Sequence, residues 1–119
     1  MPVTPQTFRQ IALSFADAEE RDHQHHPDFR VKGKVFATLG YPDTEWGMVK
    51  LTPDEQYAYM KIEPEAFQPA AGAWGKGGST LIKLAKVKKA TLRDALESAW
   101  AGLRGSPVLL QTKQRRKGR

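Results

Sequence analysis

The sequence predicts an α+β domain in two layers, with an antiparallel sheet backed by helices. Three observations carry that reading. Apolar residues recur at helical spacing in the opening and closing segments. Between them lies "DFRVKGKVFATLG", two β-rich runs joined by Lys32-Gly33, a two-residue hairpin turn. Twice a Thr-Pro pair stands just before a helical pattern, at Thr4-Pro5 and at Thr52-Pro53. Threonine caps a helix start, and proline suits the first helical position, where its missing N–H is not needed.

The elements follow in order. "TPQTFRQIALSFADAEE" reads as a helix through residue 20, with Phe8, Ile11, Ala12, Phe15 and Ala18 on one face. The acids Asp17, Glu19, Glu20 and Asp22 fall at its C-terminal end, against the helix dipole. In the hairpin, the two-residue turn sets Arg30 opposite Val35 and Phe29 opposite Phe36. "GYPDTE" is a second turn, and "WGMVKL" the next strand of the meander. "TPDEQYAYMKIE" is a helix with a Thr52/Glu55 capping box, and Tyr57, Met60 and Ile62 are expected to face inward. "PEAFQPAAGAWGKGG" reads as a loop with a helical turn around residues 65–67, followed by the strand "STLIKLA". "TLRDALESAWAGL" is the last helix, capped by Thr91 and ended by Gly105. The expected order is α-β-β-β-α-β-α.

A chain of 119 residues is one domain by length and buries enough surface to need no staples. We place that domain at residues 1–106 and a basic tail at 107–119. With no cysteine in the chain, disulfides, thiolate metal sites and a cysteine nucleophile are excluded. The N-terminus has no apolar run behind a basic start, and no stretch approaches the roughly 20 apolar residues of a membrane helix. The expectation is a cytoplasmic monomer with no membrane contact.

The net charge is +6, and its location matters more than its size. Lys113, Arg115, Arg116, Lys117 and Arg119 crowd the tail, and without those five the body has 14 basic residues against 13 acidic. The body is nonetheless polarised. Lys76, Lys83, Lys86, Lys88, Lys89 and Arg93 precede Asp94 with no acid among them.

"HPDFRVKGKVFATLG", "VKLTPDE" and "FQPAAGAWGKGGSTLIKL" together resemble the MmcQ/YjbR-like family, over roughly residues 5–105. The resemblance implies a CyaY-like α+β fold and DNA binding through a double-wing arrangement of helix and strands. Arg30, Lys32 and Lys34 match the first wing, and Trp74, Lys76 and Lys83 fall on the later loop and strand.

Four chemistries compete on these residues. Nucleic-acid binding needs cations on phosphates and aromatic groups on bases. Arg30, Lys32, Lys34, Lys83, Lys86, Lys88 and Lys89 supply the cations, and Trp74 can stack on an unpaired base. Arg115, Arg116 and Lys117 form a separate electrostatic arm. The structural alternative is a lysine-protected sheet edge with Trp74 as a lid over the core. His23, His25 and His26, with Asp22, are ligand types that suit Zn²⁺ or Fe²⁺, but their spacing matches no closed site, and no metal or cofactor is expected. "GAWGKGGST" has glycines, a lysine and hydroxyls in the wrong order for a phosphate loop, and it leads into a strand. No serine has an elbow or base signature, so no enzyme is expected. The expected function is a small DNA-binding protein, mainly electrostatic and weakly sequence-specific. The alternative is a non-enzymatic domain that binds a protein or small ligand through the Trp74 loop and the acidic helix end.

Overall fold

The computed structural model describes residues 3–23, 26–40 and 43–104. The tail, with Arg115, Arg116 and Lys117, and His25 lie outside these residues.

Helix α1 (Pro5–Leu13) starts where Thr4 accepts a hydrogen bond from the Thr7 amide at 3.1 Å. It buries Phe8, Ile11 and Ala12. It stops well short of residue 20. The Ser14 hydroxyl donates to the Ile11 carbonyl at 2.6 Å, and Asp17 takes a positive φ of 62°. A serine competing for the last-turn carbonyl and a left-handed residue both oppose helix continuation. The acids expected on the helix end therefore stand elsewhere: Asp17 in a turn, and Glu19, Glu20 and Asp22 on an edge strand, β1 (Glu19–His23).

Strand β2 (His26–Val31) pairs with β1 on one side and β3 (Lys34–Leu39) on the other. Lys32 and Gly33 both have positive φ, 56° and 79°, as a twist-matched hairpin turn requires. The expected Arg30–Val35 pair forms, but Phe29 sits opposite Ala37 rather than Phe36. The register shifts at that point, and Phe36 is the extra residue of a β-bulge. The bulge lets Phe36 and Ala37 both reach the core, where neither is exposed. Alternation alone would have turned one of them to the opposite face.

The remaining elements are β4 (Trp46–Lys50), α2 (Pro53–Ile62), β5 (Phe67–Pro69), α3 (Gly72–Lys76), β6 (Ser79–Lys83) and α4 (Lys89–Arg104). The sheet order is β1-β2-β3-β4-β6-β5, and every neighbouring pair is antiparallel. Helices α1 and α4 cover one face. Phe8, Ile11, Leu92 and Leu96 meet Phe29, Ala37, Val49 and Ile82 there in one core. Thr91 does not cap α4. Instead the Glu63 carboxylate accepts from the Lys88 amide at 3.0 Å and from the Thr91 hydroxyl. An anion at that end suits the helix dipole.

Helix α2 has the expected capping box, with Thr52 and Glu55 bonding each other's amides at 2.9 and 3.1 Å. Its inward face differs from the expectation. Tyr57 and Ile62 are 63% and 62% exposed, whereas Gln56 is buried. The helix leans on the short edge strand β5, so it hides only a narrow stripe. Tyr59 stacks on Phe67 there, with ring centroids 5.3 Å apart.

Burial pushes the Glu55 carboxyl up from its ordinary 4.5, with Asp54 adding to the rise, against the two Thr52 hydrogen bonds that lower it. The folded state thus holds this proton to higher pH than the unfolded chain does. Stability from this group is greatest at low pH and falls as pH rises from 4.5 through the raised folded value. Glu55→Gln keeps the capping geometry and removes the proton. Urea titrations between pH 4 and 7 should show the variant gaining on the wild type as pH rises, then a constant offset. Parallel pH profiles would refute the assignment.

Candidate binding groove on the open sheet face

Side chains alternate along a strand, so the residues between the core positions project from the other face of the sheet. One row crosses all six strands: Arg21, Asp28, Thr38, Met48, Leu81 and Gln68, each registered on the next. Its middle is apolar. Thr38, Met48 and Leu81 floor a groove of ≈ 380 Å³. Ala70, Ala71 and Trp74 line it too, brought there by α3 and the residues leading into it. His26, Asp28 and Ser79 complete the lining and, with Thr38, are its polar residues.

From sequence the Trp74 segment is expected to be a loop. It is instead a five-residue helix in a closely fastened turn. The buried amide of Gln56 donates to the carbonyls of Gly75 and Ser79, each at 3.1 Å, and lies 3.0 Å from the Thr80 hydroxyl. The Ala70 amide bonds the Ser79 carbonyl at 2.9 Å, and the Gly78 amide bonds the Gly75 carbonyl at 3.0 Å. Glycine is needed at 78, where φ is 113° and a Cβ would stand 1.9 Å from the Leu51 carbonyl oxygen. On this platform Trp74 is 70% exposed, so it is not a lid over the core. The ammonium of Lys50 lies 6.0 Å from the Trp74 ring centroid.

The expected cations do not gather. Arg30 forms a two-pronged pair with buried Asp28, Nε to Oδ1 at 2.9 Å and a terminal nitrogen to Oδ2 at 3.0 Å. That hydrogen bonding raises the Arg30 pKa against the opposing effect of burial. Arg30 therefore serves as the counter-ion of Asp28, with its guanidinium edge already engaged. Lys32 and Lys34 are exposed at the β2–β3 turn. Lys83 stands opposite Trp46, at the far end of β4 from Lys50, and its ammonium lies 5.8 Å from the Trp46 ring centroid. Lys86, Lys88 and Lys89 follow it, and Lys86 faces Glu65 at 3.8 Å. The hairpin lysines and the 83–89 cluster thus occupy opposite ends of the sheet. Lys76 ends α3 and is exposed.

His23 and His26 pair across β1 and β2. Among the described residues no group of three histidine or carboxylate side chains could hold a metal ion. Nor is any described helix long and apolar enough to cross a membrane.

Sequence reasoning missed Lys50, Asp28, Met48, Leu81 and Gln56. A signal existed for one of them. Asp28 and Arg30 are two apart on a strand, hence on one face, and a carboxylate there invites an ion pair. Gln56 left no signal, because its partners are backbone carbonyls from 19 and 23 residues away.

An antiparallel six-stranded sheet with α1 and α4 on one face and a tryptophan-walled groove on the other defines a two-layer α+β domain with one sheet face open. The YjbR family model matches residues 13–101, and the chain belongs to that family. Among solved structures, it is similar to the Deinococcus radiodurans protein DR2400, which carries the domain DUF419. The TM-score is 0.73 at 13% identity, over 95% of this chain and 87% of that one. At that identity the likeness is one of fold. The comparison with curated proteins gave no match.

Proposed function

We propose that the chain is a non-enzymatic binding domain whose ligand enters the groove beside Trp74. The supporting observation is a largely exposed tryptophan on a hydrogen-bonded platform, walling an apolar groove. A large apolar side chain held in water on a fixed backbone suits recognition, because little ordering entropy remains to be lost on contact. Catalysis is a poorer fit. Ser79 and His26 both line the groove, but they stand on strands three positions apart in the sheet. That is about 14 Å at the usual strand spacing, far beyond proton-transfer reach.

Trp74→Ala tests the reading. The side chain is mostly exposed, so unfolding free energy should change by only about 0.5 kcal/mol. Fragments that bind the wild type in ligand-observed NMR should lose most of their affinity for the variant. Fragments that bind both proteins equally would sink the proposal.

DNA binding is the second reading, favoured by Lys32 and Lys34 exposed at one hairpin tip. Trp74 and Lys50 add a stacking surface and a cation, a pairing suited to single strands. Anisotropy of labelled single-stranded and duplex DNA across a salt series tests it. If Lys32→Gln/Lys34→Gln flattens the salt dependence, the hairpin holds phosphates. An unchanged slope would assign any binding elsewhere.

A further inference from the structure

We infer that the groove selects a flat aromatic anion, with its ring against Trp74 and its acidic group beside Lys50. The inference rests on the groove reading above and names the ligand's chemistry. Shape supplies the ring. Trp74 is 70% exposed, and Met48 and Leu81 line the same groove, so a planar group stacked on the indole finds further apolar contact there at little entropic cost. A groove of ≈ 380 Å³ also lies within the range of small-molecule sites.

Charge supplies the sign. Asp28 is the single carboxylate lining the groove, and Arg30 engages both of its oxygens. It offers little attraction to a cationic ligand. Lys50 is different. Among the described residues no carboxylate lies within ion-pair distance of it, and its ammonium stands 6.0 Å from the ring that would hold the ligand. The charge that stands over the Trp74 ring is therefore positive. An acidic substituent one or two bonds from a ring stacked there meets that ammonium. A basic substituent meets repulsion.

Three probes share one ring and differ in charge at neutral pH: indole-3-acetate, indole-3-acetamide and tryptamine. Titrated into the ¹⁵N-labelled full chain, they are followed at the Met48 and Leu81 amides and the Trp74 indole. Indole-3-acetate should bind about tenfold tighter than tryptamine, roughly what reversing a ligand charge near one ammonium supplies at a dielectric close to that of water, with the amide between. Lys50→Gln should bring the three to within about twofold of one another. Equal affinities in the wild type would overturn anion selection while leaving the groove reading intact. A ranking that survives Lys50→Gln would overturn the role of Lys50, and with it the inference. If no probe shifts the groove signals, the inference fails, and the Trp74→Ala fragment experiment separately decides whether the groove binds anything.

Discussion

Gly78→Ala is expected to destabilise the protein by about 3 kcal/mol or more. Two effects combine there. The backbone has φ 113°, which an alanine rarely adopts, and the new Cβ would lie 1.9 Å from the Leu51 carbonyl oxygen. That oxygen belongs to backbone at the end of β4, so it cannot swing aside as a side-chain tip could. Relief requires the strand entry to move, which opens the 3.3 Å bond from the Leu51 amide to the Gly78 carbonyl. Gly33→Ala isolates the backbone effect. Its φ is 79° and nothing lies within 4 Å of its added Cβ, so strain alone should remove about 1 kcal/mol. Urea unfolding of both variants checks the difference. Similar losses would show that the Leu51 contact carries no weight. The groove should suffer with the fold, because Gly78 also closes the platform that presents Trp74. A partly folded Gly78→Ala protein should therefore lose ligand affinity more steeply than its folded fraction falls.

The platform also shows where sequence reading stops. The hairpin, the two Thr-Pro helix starts and the apolar stripe of α4 were all legible, because each rests on residues within one turn of one another. Strand β1 was not. "EERDH" has no apolar alternation, and it becomes a strand only because β2 offers a ladder along its whole length. Strand β5 was hidden for the same reason. It is three residues long, ends in proline, and owes its extension to β6. Helix α3 lay in a glycine-rich run that suggested mobility. What fixes it is Gln56, whose buried amide has no local signature.

The candidate site divides along the same line. Residue types were readable and their grouping was not. Trp74 stood out at once in its glycine-rich setting. Arg30, Lys32 and Lys34 looked equivalent as cations, yet burial of Asp28 on the same strand face takes Arg30 out of that set. Lys83 to Lys89 looked continuous with them only while the strand order was unknown. An antiparallel β4–β6 pair puts Lys83 opposite Trp46 and Ser79 opposite Lys50, which sends the lysine cluster to the end away from the hairpin. Lys50 drew no notice in "WGMVKL" because its neighbour Trp74 lies 24 residues further on.

Gly47 couples the helical layer to this face, and a mutant cycle with Phe8 should measure the coupling. Glycine inside a strand is unfavourable unless another group needs the space. Here that group is the Phe8 ring. A Cβ at 47 would stand 2.6 Å from one ring carbon and 3.1 Å from another. Phe8 cannot yield, since it is fully buried and held against Phe29 with centroids 5.8 Å apart. Gly47→Ala should therefore remove about 1–3 kcal/mol by overpacking. Phe8→Ala should remove about 3–5 kcal/mol through the lost burial and the cavity it leaves. In the double variant the new methyl enters the space the ring vacated, so its overpacking disappears. The combined loss should fall short of the sum by about 1 kcal/mol or more. If Phe8→Ala leaves too little folded protein to measure, Phe8→Leu closes the cycle with a smaller cavity. Additive losses would mean that the ring is not what keeps residue 47 a glycine. A coupled result has a consequence across the sheet. Met48, the next residue, floors the groove, so a backbone pushed outward at 47 in the single Gly47→Ala variant should shift the Met48 signals, and restoring the space with Phe8→Ala should return them.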